Sequence, residues 1–143
     1  SGGGLPGLVV AILMADRGEG LVTLVESDVR KGAFMREVAR QAGIVVDVAS
    51  ERIESFSTKG RISETAMDVI SARALAPLDR LLELSSALVS RNTVGLFLKG
   101  RELRSELDEA QRRWAFDSTV VPSLTDASGQ ILQVRALRAR TED

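Results

Sequence analysis

Four nearly continuous apolar runs constrain what this chain can become: "LVTLVES" (Leu21–Ser27), "IVVDVAS" (Ile44–Ser50), "MDVISA" (Met67–Ala72) and "TVGLFLK" (Thr93–Lys99). A short run without polar alternation marks a strand buried on both faces, the condition of parallel strands covered by helices. Helical spacing fills the intervals. Pro6 suits the first turn of a helix running to about Asp16. Asp28 can cap a second helix, ended by Gly43, with Val29, Ala33, Phe34, Val38 and Ala42 along one side. "ERIESFSTKGRISET" reads as a loop or short helix. Pro77 opens a helix bearing Leu78, Leu81, Leu82, Leu88 and Val89, and Leu103, Leu107, Ala110 and Trp114 make one face of another. The last third changes character. "FDSTVV" and "ILQVRAL" flank a turn at Asp126–Gly129, and Leu132, Val134 and Ala136 alternate with Gln133 and Arg135, the pattern of an antiparallel edge hairpin. The expected fold is therefore α/β: a doubly wound, mostly parallel sheet with a C-terminal antiparallel hairpin, in one domain spanning residues 1–143.

Composition narrows the chemistry. The chain has no His, no Cys and no Tyr, which excludes Ser-His-Asp and Cys-His triads, thiolate and imidazole metal sites, and disulfides. Any catalysis must rest on carboxylates, Lys, Arg or positioning. The net charge of −1 gives no global basic field, so a nucleic-acid role needs a local patch. No run approaches the roughly 20 apolar residues of a membrane span and no signal peptide is visible, so no membrane role is expected and the expected location is cytoplasmic.

The conspicuous polar residues follow the apolar runs, where open α/β sheets bind ligands. Glu26 ends the first run, Arg52 and Glu54 follow the second, Arg73 the third, and Lys99 ends the fourth. Ahead of them, Gly2, Gly4 and Gly7 in "SGGGLPG" form a G-x-G-x-x-G, a pattern that alone fits a linker remnant as well as a binding loop. Glycines let the backbone approach a ligand, and the following helix offers unpaired N–H groups to an anion. An acid about 20 residues on can accept hydrogen bonds from both ribose hydroxyls, and Glu26 sits at the long side of that spacing. The combination points to an adenosine-containing cofactor without saying which one. Arg30, Lys31 and Lys99 lie near the same edge and are candidates for phosphate contacts.

"SGGGLPGLVVAIL", "VTLVESDVRKGAFMREVAR", "ISARALAPL" and "LFLKG" occur in order along residues 1 to about 110 and resemble consecutive motifs of the RsmG (GidB) family. These are bacterial methyltransferases acting on N7 of a guanine in 16S ribosomal RNA. The resemblance implies a Rossmann-like class I methyltransferase sheet, S-adenosyl-L-methionine as cofactor, and 16S ribosomal RNA or the small ribosomal subunit as partner. It places Gly2, Gly4 and Leu5 at the methionine part of the cofactor, Glu26 at its ribose, and Ile53 and Glu54 near its adenine. Arg73 becomes a cofactor- or substrate-site arginine, and Lys99 an RNA contact. Family members carry a helical region and a first strand before the position of Ser1, so the first strand of the sheet is expected to be missing from this chain, and a monomer is the default.

Guanine N7 presents a free lone pair, so the implied reaction needs no general base and none is assigned. Positioning supplies most of the catalysis. Among the aromatics, Phe34, Phe97 and Trp114 are expected on core faces, Phe116 in a strand, and Phe56 in a loop as an anchor or pocket wall. Two rivals remain open at this level. One is an NAD-binding Rossmann oxidoreductase domain, disfavoured by the missing His and Tyr. The other is a non-catalytic nucleotide-binding or ribosome-interaction module.

Overall fold

A computed structural model describes residues 3–58 and 67–141. The chain divides into two compact units, Ser1–Lys59 and Gly60–Asp143. Each has its own sheet; among the described residues no strand pairs with both.

The first unit comprises α1 (Gly7–Ala15), β1 (Thr23–Val25), α2 (Val29–Ala42), β2 (Asp47–Ala49) and α3 (Ile53–Thr58). β1 and β2 run parallel in the register Leu24↔Val48, joined through α2. Local chemistry dictates both ends of that helix. The Asp28 carboxylate accepts the N–H groups of Arg30 (2.9 Å) and Lys31 (3.2 Å), satisfying two amides of the first turn. Gly43 takes the left-handed conformation (φ 66°), its N–H reaching Arg40 O while Ile44 N–H reaches Ala39 O, a Schellman closure. Leu8, Leu24 and Met35 form the core, with Val22, Val38, Val46 and Val48 packed around them.

The buried face of α2 differs from the expected one. Gly32, Met35 and Ala39 are buried, whereas Val29 is 70% and Phe34 54% exposed. Gly32 decides this. It brings the helix against the strand end so closely that an added Cβ would lie 2.8 Å from Ser50 Oγ. A helix must turn its smallest residue to the closest contact, and this carries Phe34 to the far side. Arg36 fastens the same face, Nη2 donating to Val48 O (2.7 Å) and Ser50 Oγ (3.0 Å).

The second unit comprises β3 (Val69–Arg73), α4 (Leu78–Ser86), β4 (Val94–Lys99), α5 (Leu103–Arg113), β5 (Trp114–Pro122) and β6 (Gln130–Ala139). Its sheet has the order β3-β4-β6-β5, with β3 parallel to β4 and the hairpin antiparallel. The hairpin lies as expected, and β6 carries a bulge at Ala136 (φ 52°). The helix opened by Pro77 ends at Ser86, before Leu88 and Val89, and Trp114 begins β5 instead of extending α5. The core joins Leu78, Leu81, Leu82, Phe97, Leu103, Ala110, Trp114, Leu132 and Val134. Trp114 Nε1 donates to Asp79 (3.0 Å), which also receives Arg113 (2.6 Å). Among the described residues β3 pairs with β4 alone, and its residues 69, 71 and 73 are exposed, so this run alternates after all.

Replacing Asp28 by Ala removes both cap hydrogen bonds of α2 and should cost about 1 kcal/mol of stability. Chemical denaturation would show a lowered midpoint at constant slope; an unchanged midpoint would mean that the cap contributes nothing.

Candidate functional site

In the first unit Glu26 follows the carboxyl end of β1, Ile53 and Glu54 follow that of β2, and Gly4 lies in the turn that precedes α1. Gly4 is buried at φ 87°, a conformation that favours glycine, and a Cβ there would collide with the Leu8 side chain. Its carbonyl accepts Leu8 N–H (2.6 Å), so the loop feeds directly into α1. Leu5 is exposed, and among the described residues no side chain caps the N-terminus of α1. Gly2 lies outside the described residues.

Glu26 follows β1 directly. Its N–H donates to Ala49 O (3.0 Å), extending the parallel ladder, and the residue is only 7% exposed. A carboxylate buried to this degree needs polar partners. Asp28 supplies one, its N–H donating to Glu26 Oε1 (3.0 Å). Asp28 therefore works in two directions: its side chain caps α2 while its amide orients Glu26. Nothing in the sequence pattern marks that second task, because it depends on the bend between β1 and α2. Arg30 and Lys31 sit in the first turn of α2 with exposed side chains. Ile53, half-buried, and Glu54, exposed, begin α3; Phe56 behind them is 5% exposed and anchors that helix.

In the second unit Arg73 ends β3, exposed, in register with Leu98. Ala74 follows at φ 50°. Lys99 ends β4, yet it does not reach out as expected of an RNA contact. Its side chain is 8% exposed, and Nζ donates to Glu106 Oε2 (2.6 Å) and Ala76 O (3.0 Å). The same Glu106 oxygen accepts Leu78 N–H at 2.7 Å. Two of the three ammonium protons are thus committed inside the unit. Glu106 escaped the sequence reading; the available signal was an acid one turn into a helix that follows a strand-ending lysine.

Among the described residues no cluster of acids is arranged to hold a metal ion, and no helix is long and apolar enough to cross a membrane. The first unit thus offers a glycine loop entering a helix, an oriented buried carboxylate on the adjoining strand end, and two exposed cations nearby.

Comparison with known proteins bears on what such a site does. A family model described as rRNA small subunit methyltransferase G (GidB) matches residues 1–135. The ribosomal RNA small subunit methyltransferase G of Parvibaculum lavamentivorans is 50% identical over 137 residues, covering 96% of this chain and 59% of that protein. Its counterpart in Methylobacterium nodulans is 46% identical over 138 residues, covering 96% and 63%. The chain spans about three fifths of the length of these relatives. Among solved structures, a ribosomal protein L11 methylase from Lactobacillus delbrueckii subsp. bulgaricus superposes with TM-score 0.64 at 14% identity, covering 88% of this chain and 63% of that one. The O-methyltransferase TomG from Streptomyces achromogenes, in complex with SAM, gives 0.62 at 13% identity, covering 90% and 69%. The fold is that of class I methyltransferases, as the family resemblance implied.

Two glycines at positive φ separate crowding from backbone strain. Gly43→Ala meets open space and should lose only the left-handed penalty, about 1 kcal/mol. Gly4→Ala adds overpacking against Leu8 and should lose a further 1–3 kcal/mol or so. Equal losses in denaturant titrations would show that the loop has room for a side chain.

Proposed function

Because the chain belongs to the rRNA small subunit methyltransferase G family, we propose that it transfers a methyl group from S-adenosylmethionine to N7 of a guanine in 16S ribosomal RNA. The observation that carries this reading is Glu26, a carboxylate buried at the end of β1 and oriented by a backbone amide beside a glycine-entered helix. The residues suit the cofactor. Position 4 leaves no space for a side chain, so backbone lines the approach to α1, whose uncapped N-terminus favours the carboxylate of the methionine part. The two oxygens of Glu26 suit a pair of ribose hydroxyls. Ile53 offers apolar surface to an adenine, with Glu54 beside it to accept from its amino group. When bound, the cofactor supplies an electrophilic methyl group on a sulfonium.

The work left to the chain is positioning. Guanine N7 carries its own lone pair, so no side chain has to take a proton from it, which agrees with a chain lacking His, Cys and Tyr. Arg30 and Lys31, exposed on the first turn of α2, are the proposed phosphate contacts, and Arg73 is the proposed arginine of the second unit's strand edge. Lys99 leaves this group because its ammonium is spent internally. The small ribosomal subunit is the proposed partner and the cytoplasm the proposed place of action.

S-adenosylhomocysteine should raise the melting temperature of the purified protein while NADH leaves it unchanged; the opposite ranking would favour an oxidoreductase and overturn the proposal. Glu26→Gln keeps an oxygen for the Asp28 amide but removes the charge. It should weaken S-adenosylhomocysteine binding by about 1.5–3 kcal/mol in calorimetry, and unchanged affinity would remove Glu26 from the ribose.

A further inference from the structure

We infer that Lys99 and Glu106 form a positioning pair, which sets the loop between β3 and α4 and through it the placement of Arg73. The inference rests on the methyl-transfer reading and adds to it a part that Arg73 alone does not explain.

The geometry is specific to one segment. Lys99 Nζ holds the carbonyl of Ala76, and Glu106 Oε2 holds the amide of Leu78. These two backbone groups flank Pro77, which has no N–H of its own and sits at φ −56°. The ammonium and carboxylate that make these contacts are 2.6 Å apart. One ion pair therefore grips the loop from both sides of its proline. At its other end the loop leaves β3 through Arg73, held by the ladder to Leu98, and then through Ala74 at φ 50°. A non-glycine residue at positive φ persists where its surroundings over-determine the backbone. The ladder and the ion pair are the two constraints that bracket it.

Stability alone does not call for a charged pair here. Apolar residues of similar volume commonly replace a buried ion pair at no loss, because the charges must first be stripped of water. What apolar residues cannot do is bind a carbonyl and an amide two residues apart. Lys99 and Glu106 meet that geometric need, and they meet it at the carboxyl end of β3, the edge where open α/β sheets take their ligands. The exposed Arg73 guanidinium is then presented from a preset backbone, which lowers the ordering cost of engaging an anionic substrate or cofactor group.

The test uses Lys99→Met/Glu106→Leu, in which the pair is replaced by apolar residues, alone and combined with Arg73→Ala. Melting temperature, hydrogen exchange of the Ala74–Leu78 amides, and kcat/KM for methylation of small-subunit RNA are measured on each. We expect the melting temperature to stay near that of the parent while these amides exchange faster and kcat/KM falls by on the order of 100-fold. Adding Arg73→Ala should then cost little more, because the pair acts through that residue. Parent-like exchange and kcat/KM in the apolar variant would overturn the inference, and so would a fully additive loss from Arg73→Ala. If the apolar variant does not fold, Glu106→Gln takes its place. It keeps an acceptor for Leu78 N–H while weakening the hold on Lys99, and the same readouts decide. Failure of the parent to methylate any RNA would instead strike the methyl-transfer reading, and the exchange comparison would still decide whether the pair holds the loop.

Discussion

A lysine ammonium and a carboxylate meet 2.6 Å apart in the second unit, the lysine side chain 8% and the glutamate 22% exposed, and three elements depend on their contact. Lys99 belongs to the end of β4, Glu106 to α5, and the groups they bind open α4. The apolar core beneath, from Leu78 through Phe97 to Leu132, is generic in the sense that burial favours any close packing of such residues. The polar contact is directional. It selects, from the packings the core would tolerate, the one in which the N-terminus of α4 stands over the end of β4.

The first unit solves a similar problem by other means. Its strand ends are held by backbone chemistry: the ladder bond from Glu26 to Ala49, the Asp28 amide on Glu26, and the Asp28 carboxylate on the first turn of α2. Glycines set the distances. Gly4 admits no side chain beside Leu8, and Gly32 brings α2 onto the end of β2. Polar groups at strand ends, placed by tight backbone geometry, suit the proposed methyl transfer, in which the chain has only to position the reactants. The family to which the chain belongs is consistent with that economy.

Much of this could be read before any coordinates. Asp28 and Gly43 bounded α2 because capping and left-handed closure are local events, decided within a few residues. The apolar runs and the alternating final third marked the strands and the hairpin, although β3, read as buried on both faces, exposes every second residue. The order of motifs identified the fold, and Glu26 was placed at a strand end because it closes an apolar run.

What the sequence by itself determined, then, was everything set by near neighbours: element types, caps, the hairpin, and the residue kinds at each strand end. Only the tertiary structure decided which of those polar residues face inward. Lys99 looked like a solvent-facing cation, and its ammonium turned out to be committed to Glu106 and Ala76, a partnership across 7 and 23 residues that no local pattern records. Phe34 looked like a core residue and is exposed because Gly32 claims the close approach. Both differences have one physical reason. Periodicity says that a helix has an apolar side, but distances to other elements decide which side is used and which charge finds a partner.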